Sequence, residues 1–256
     1  MIEPEYLLTP RQLDVVWQDL GLGRLPYPLD VPSLGATEDE RARLREQVLA
    51  ELGGQPDHRL VSLLRLLADH RVSVDAIAHI NRPIRAVAVS DGDRAALAII
   101  DGDNIGLLEI RPTSLARSIV EVLPDGAAGP GSSLSLRVET MSAAVAMQGQ
   151  ADGDEDDPWG DSEVDERTAL QRAGLSREDA TALSELAANR KAGGQFGVSH
   201  GGAGGYRAQR AGVTITWFDT HQGRYLMVRE NGWLSLAPTD NDRIASRIDS
   251  VLAGVA

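Results

Sequence analysis

The chain has 256 residues, a formal net charge of −13 and no cysteine. A chain this long buries roughly 70–75% of its unfolded surface, so a core forms without staples, and the missing thiols exclude disulfides, thiol catalysis and thiolate metal sites and fit a reducing cytosol. The acidic balance argues against nucleic acid. No apolar run approaches the ~20 residues that cross a bilayer, and the start MIEPEYLLTPRQL lacks a basic region followed by an apolar stretch, so a cytoplasmic protein without membrane insertion is expected.

Along the chain, Pro10 opens a first helix with Leu13, Val16, Trp17 and Leu20 on one face. Pro26, Pro28 and Pro32 then impose an extended loop. Thr37 and Glu40 form a capping box for a helix over 38–52, ended by Gly53-Gly54, and a short helix follows from Arg59 to Ala68. Strands are predicted at about 72–80, 84–90, 95–101 and 105–111. Pro83 separates the first two, and Asp91-Gly92 and Asp101-Gly102 supply turns. Ala95 to Ile100 is apolar on both alternating sets, as in a strand covered on both faces. Thr113 then caps a helix carrying Leu115, Ile119, Val122 and Leu123.

Residues 124–161 read as a joint. PDGAAGPGSS is a flexible loop, SLSLRVE a strand, and ADGDEDDPWGD an exposed acidic linker. Nine acidic residues and no basic one lie between Asp152 and Glu166, so the rest of the chain carries only about −4, ordinary for a domain surface. Helices follow at about 162–173 and 177–190, the second capped by Ser176 with Leu183 and Leu186 inward. Then come GGQFGVSH, the glycine-rich GGAGG, and a strand in which Val213, Ile215 and Trp217 alternate with Thr214 and Thr216 as in a half-buried strand.

The two halves share one pattern. Residues 84–123 and 213–252 each read strand, turn, strand, turn, strand, Pro-Thr, helix, with Arg117 and Arg243 five residues after Pro112 and Pro238. A single domain over 1–256 is expected, its halves at about 1–123 and 162–256 related by a quasi-two-fold axis.

Reaction chemistry finds little support. Gly197-Val198-Ser199-His200-Gly201 is a literal G-x-S-x-G, with Asp219 and His221 following in hydrolase order. Yet a serine elbow needs a helix directly after the serine, and glycines and more strand follow here. Asp152, Asp154, Asp156 and Glu163 imitate a calcium loop, but Asp157 stands where the bend requires glycine and Pro158 follows. His58, His70, His79, His200 and His221 show no i, i+4 pair for zinc, and the glycine-rich segments lack the lysine of a phosphate loop. No cofactor and no metal are expected. Trp17 and Trp217 fit a core by their periodicity, whereas Trp159 sits in the acidic stretch.

A set of motifs is similar to one family. Leu13-Asp14-Val15-Val16-Trp17, Leu25-Pro26-Tyr27-Pro28-Leu29 with Val31-Pro32-Ser33, Glu40-Arg41, Gly193-Gly194-Gln195-Phe196-Gly197, Trp217-Phe218-Asp219-Thr220 with Gly223-Arg224-Tyr225, and Trp233 with Ala237-Pro238 resemble the EspG proteins of actinobacterial type VII (ESX) secretion. The resemblance covers nearly the whole chain outside the acidic stretch. It implies an α+β fold with a central, mostly antiparallel sheet and a C-terminal helical bundle. It implies, too, a non-enzymatic cytosolic chaperone that binds the apolar helical tip of a PPE protein in a PE–PPE heterodimer and delivers it to the secretion machine. In the family the loop joining the second and third strands reaches the partner; by position this is about Ser90 to Arg94, with Asp91 and Asp93 at a short turn. The contacting surface implied here takes in Val87, Val89, Asp91, Asp93, Arg94 and Leu97 in the first half and Phe196, Leu226, Val228, Leu234 and Leu236 in the second. The alternatives are an adaptor or regulator without an export role and, on Ser199, a serine hydrolase.

Overall fold

The computed structural model describes residues 3–151, 166–201 and 208–255. Thr9 and Thr37 each close a capping box, with Gln12 and Glu40 as the returning side chains. Each box satisfies backbone N–H groups that the first helical turn cannot bond internally, and this sets the starts of α1 (Pro10–Asp19) and α2 (Glu38–Glu51). Asp57 accepts from the Leu60 N–H at 2.8 Å and starts α3 (His58–Ala68). These three helices and the loop between α1 and α2 bury Leu13, Val16, Trp17, Leu29, Val48, Leu63, Leu64 and Leu67 in one core.

The chain forms two compact units that are not consecutive in sequence. Unit 1 comprises Met1–Asp125, Gly194–Ala211 and Asn241–Ala256; unit 2 comprises Gly126–Gly193 and Gly212–Asp240. Unit 1 holds β1 (Tyr6–Leu8), β2 (Val72–Ile80), β3 (Arg82–Ser90), β4 (Ala95–Asp101), β5 (Asn104–Ile110), most of β7 (Ala192–His200) and β8 (Gln209–Arg210). Their order is β1-β5-β4-β3-β2-β7, with β8 on β7. The α1–α3 core packs on the face carrying Val87, Val89, Ala96 and Ala98. The six-residue helix α4 (Leu115–Val120) packs on β2, β3 and β4, and its buried Leu115, Ile119 and Val120 stand outside that core cluster.

Unit 2 holds β6 (Leu134–Arg137), β9 (Thr214–Asp219), β10 (Arg224–Glu230) and β11 (Trp233–Pro238) in the order β9-β10-β11-β6. It also holds α5 (Val138–Ala151), α6 (Glu166–Arg172) and α7 (Arg177–Ala188), joined through Ala144, Ala169, Leu170 and Ala180. Every ladder whose register is resolved is antiparallel. The architecture is α+β, and helix α8 (Asn241–Val255) ends the chain, burying Ile244, Ile248 and Val251. Each copy of the doubled pattern gains a short outer strand, β1 beside β5 and β6 beside β11.

Several local expectations change. Pro83 lies inside β3, opposite His79, and the turn before it is made by Asn81 at φ 60°; β4 ends opposite Ile84, so the missing N–H of Pro83 costs no bond there. Thr113 sits in a 3-10 turn over Pro112–Ser114, and no side chain caps α4. GGQFGVSH, assigned no element from the sequence, lies in the strand β7. β9 is buried on both faces, Thr216 and Phe218 included. Between α4 and β6 the expected flexible loop is bonded to β10: Arg224 N–H donates to Ala127 O at 2.8 Å, Gly129 N–H to Arg224 O at 3.1 Å, and the Tyr225 hydroxyl to Pro130 O at 2.9 Å. The acidic positions from Asp152 to Asp165, with the calcium-like pattern and Trp159, lie outside the described residues.

Candidate functional site

The residues singled out in sequence fall on opposite faces of their strands, because successive side chains of a strand alternate. Val87 and Val89 lie under α1–α3 and are fully buried. Leu97 pairs with Ala88, which puts it on the other face, equally buried. In unit 2, Leu226 and Val228 share the face of Trp233 through the pairs Leu226–Ala237 and Val228–Ser235. Leu236 is on the reverse face with Phe218 and Tyr225, packed against Leu183 and Leu186 of α7, and Leu234 points the same way. Phe196, Val228, Leu234 and Leu236 are buried, while Leu226 is half-buried.

The hairpin turn between β3 and β4 is short and fully bonded. Asp91 accepts from the N–H groups of Asp93 at 2.9 Å and Arg94 at 2.7 Å, and the Arg94 N–H bond foremost holds its carboxyl below the usual range. The Ser90 hydroxyl donates to Arg94 O at 2.8 Å, and Gly92 takes φ 108° at the tip. Arg94 turns back to Glu109 at 2.9 Å. Gly92 and Asp93 are exposed at the turn.

Two surfaces stand out beyond these residues. At the outer end of unit 2, Trp233 is 44% exposed, with the Arg137 guanidinium 4.2 Å from its ring centroid and Ser135 and Ser235 exposed beside it. The register Glu230–Trp233–Arg137 brings these side chains to one place on neighbouring strands.

In unit 1 a groove of about 520 Å³ opens between the Pro-rich loop and strands β2 and β3. The loop is anchored at both ends: Trp17 Nε1–H donates to Gly23 O at 2.9 Å, and Asp14 accepts from the Leu34 N–H at 3.1 Å and from Arg41 at 2.6 Å. Between the anchors Leu29 is buried, while Tyr27 turns outward, 62% exposed. Across the groove on β2 and β3 stand Ile77 and, opposite it in register, Arg85. Beside Tyr27, the Arg210 guanidinium lies 5.9 Å from the ring centroid and makes a two-pronged pair with Asp75 at 2.9 and 3.1 Å. Gly197 leaves room for the pair: a Cβ there would stand 1.8 Å from Arg210 Nη2 and 2.5 Å from Asp75 Oδ2, so the two side chains would have to shift. Burial raises the Asp75 carboxyl more than Arg210 lowers it. No sequence signal marks this contact, because Asp75 and Arg210 lie 135 positions apart.

Ser199 is an ordinary ladder residue of β7, paired with Arg210, with no strand-to-helix elbow. Asp219 is engaged by Arg224 at 2.7 and 2.9 Å, and His221 is exposed. Among the described residues no group of three His, Asp or Glu side chains comes together to hold a metal ion, and no helix is long and apolar enough to cross a membrane.

No curated protein matches the chain. Among solved structures it is similar to the Mycobacterium tuberculosis type VII secretion system chaperone EspG5, determined in complex with a PE25–PPE41 dimer. The TM-score is 0.71 over 98% of this chain and 96% of that one, and at 14% identity the likeness establishes the fold. The EspG family profile matches residues 9–250, spanning both units. The chain belongs to the EspG family.

Proposed function

We propose that this protein is a cytoplasmic chaperone that binds the apolar helical tip of a PPE-type protein in a PE–PPE pair and delivers it to a type VII (ESX) secretion system. The observation that carries this reading is the family match over residues 9–250, supported by the EspG5 fold, seen in that relative with a PE25–PPE41 dimer bound. EspG is a family of chaperones, and the role asks no chemistry of Ser199. Covering apolar side chains that otherwise associate is sufficient work for a sheet face.

In this proposal the partner meets the exposed and half-buried side chains described above. These are Asp91, Asp93 and Arg94 at the β3–β4 turn, and Leu226 with Trp233 on β10 and β11. Val87, Val89, Leu97, Phe196, Val228, Leu234 and Leu236 hold those strands in place from within. Co-expression with PE–PPE pairs encoded near the gene is expected to yield a 1:1:1 complex by size exclusion with light scattering. Trp233→Ala is expected to weaken capture with little change in melting temperature, the ring being 44% exposed. Failure to capture any such pair overturns the proposal, and labelling of Ser199 by a fluorophosphonate probe, lost in Ser199→Ala, replaces it with a hydrolase.

A further inference from the structure

The first hairpin turns of the two pattern copies are built alike and covered differently. In one, the Ser90 hydroxyl accepts from the Gly92 N–H at 3.0 Å and donates to Arg94 O at 2.8 Å. In the other, the Thr220 hydroxyl accepts from the Gln222 N–H at 3.0 Å and donates to Gly223 O at 3.1 Å. An arginine ends each turn, yet Arg94 keeps part of its side chain in solvent and Arg224 keeps none. What differs is the segment 126–130 of unit 2. Ala128 bridges Arg224 in parallel, Ala127 O and the Gly129 N–H bond the Arg224 main chain, and Pro130 O takes the Tyr225 hydroxyl.

The seat of this segment is cut for bare backbone on both sides. A Cβ on Gly129 would stand 2.3 Å from Tyr225 Cζ, and one on Gly223 would stand 2.6 Å from Gly129 Cα. Close fit is not strong attachment, however. Ala127, Ala128 and Pro130 are exposed, so the segment buries no apolar side chain of its own and is held by polar bonds. Segments of that kind open before the core they cover. Beneath it, Arg224 and Asp219 belong to one hairpin and stay paired when the segment lifts. Water then reaches a guanidinium that is otherwise desolvated, which offsets part of the bonds lost. On the far side Gly131, at φ 107° with open space around it, leads through the exposed Ser132 and Ser133 to β6, a joint free to swing.

We propose that residues 126–130 are a lid. It closes over the second turn, leaving the first as the accessible one of the two, and it opens as a unit while the sheet beneath stays folded. That an accessible turn serves a partner rests on the chaperone reading; the lid is tested on the isolated protein, so a failure to capture PE–PPE pairs does not bear on it.

The first measurement is residue-resolved amide exchange of the full chain at low urea. The N–H groups of Gly129 and Arg224, donors of the lid's main-chain bonds, are expected to share one opening free energy below that of the β10–β11 ladder. Their exchange should depend little on urea, because lifting the lid exposes little surface. Exchange of both only together with the ladder, at its free energy and urea slope, overturns the proposal. The second measurement labels arginines with phenylglyoxal and reads the sites by peptide mass spectrometry. Tyr225 is buried and stacked on Phe218, so in Gly129→Ala the lid gives way rather than the ring. Arg224 is then expected to react about tenfold faster or more than in the parent protein, with Arg94 unchanged. Arg224 reacting no faster in that variant, or as fast as Arg94 in the parent protein, also overturns the lid.

Discussion

Arg94 and Arg224 occupy the same place in the two copies of the doubled pattern, the residue that follows the first hairpin turn, yet their surroundings are opposite. Arg94 keeps 39% of its side chain exposed and pairs with Glu109 across two strands. Arg224 is fully buried, paired with Asp219 and stacked 4.7 Å from the Trp217 ring centroid. The difference comes from a segment remote in sequence: the loop after α4 lies over Arg224, so close that a Cβ on Gly126 would stand 2.4 Å from its Cζ. Equal position in a repeat thus gives equal backbone and leaves burial to whatever chain arrives later. A buried ion pair is sensitive to the loss of one partner, because the other is left desolvated and uncompensated, whereas an exposed pair is screened by water.

The largest expected effect follows directly. Arg224→Ala is expected to cost about 3–5 kcal/mol in denaturant unfolding, and Arg94→Ala no more than about 1 kcal/mol; equal losses would show that burial is not what separates the copies. Next comes Gly126→Ala, expected to lose about 1–3 kcal/mol because the enclosed guanidinium has nowhere to move. The same substitution combined with Arg224→Ala should cost less than the sum, a coupling read from the double-mutant cycle.

The smallest effects are in pH. Asp91, bonded by the Arg94 and Asp93 N–H groups, has a folded pKa below its unfolded one. Its contribution is therefore full above the ordinary carboxylate range and is lost as pH falls through the folded value. Asp75, raised by burial, has the opposite sign: its favourable contribution is present at low pH and is lost as pH rises through its folded value. Asp91→Ala should flatten the acid limb of the stability profile and Asp75→Asn should remove the fall on the rising side, each followed by melting temperature against pH.

Local signals in the chain marked the elements well and their surroundings poorly. The strands over 72–111 and the caps at Thr37 and Ser176 were legible because turn residues and capping boxes act within a few positions. β1, only three residues long, has too little periodicity to show. β7 shows no strand pattern in the sequence because glycines stand at positions 193, 194 and 197; a Cβ at Gly194 would lie 2.4 Å from Ile77 O, so that glycine answers to the close approach of a neighbouring strand. For the candidate surface the sequence offers mostly apolar strand positions, which burial claims first: Val87, Val89, Leu97 and Phe196 are buried, whereas Trp233 and Tyr27 are exposed. The Pro-rich loop was visible, while the groove beneath it depends on Ile77, Arg85 and Arg210 from distant strands.

Helix α8 follows the last strand of unit 2 but belongs to unit 1, where it packs on α4 and its Asn241 side chain donates to Pro124 O at 3.4 Å. During synthesis, α4 leaves the ribosome long before the helix that covers it. Unit 1 therefore waits with an uncovered apolar surface until every strand of unit 2 has been translated, and a chain of such high contact order is committed to finishing its first-made part last.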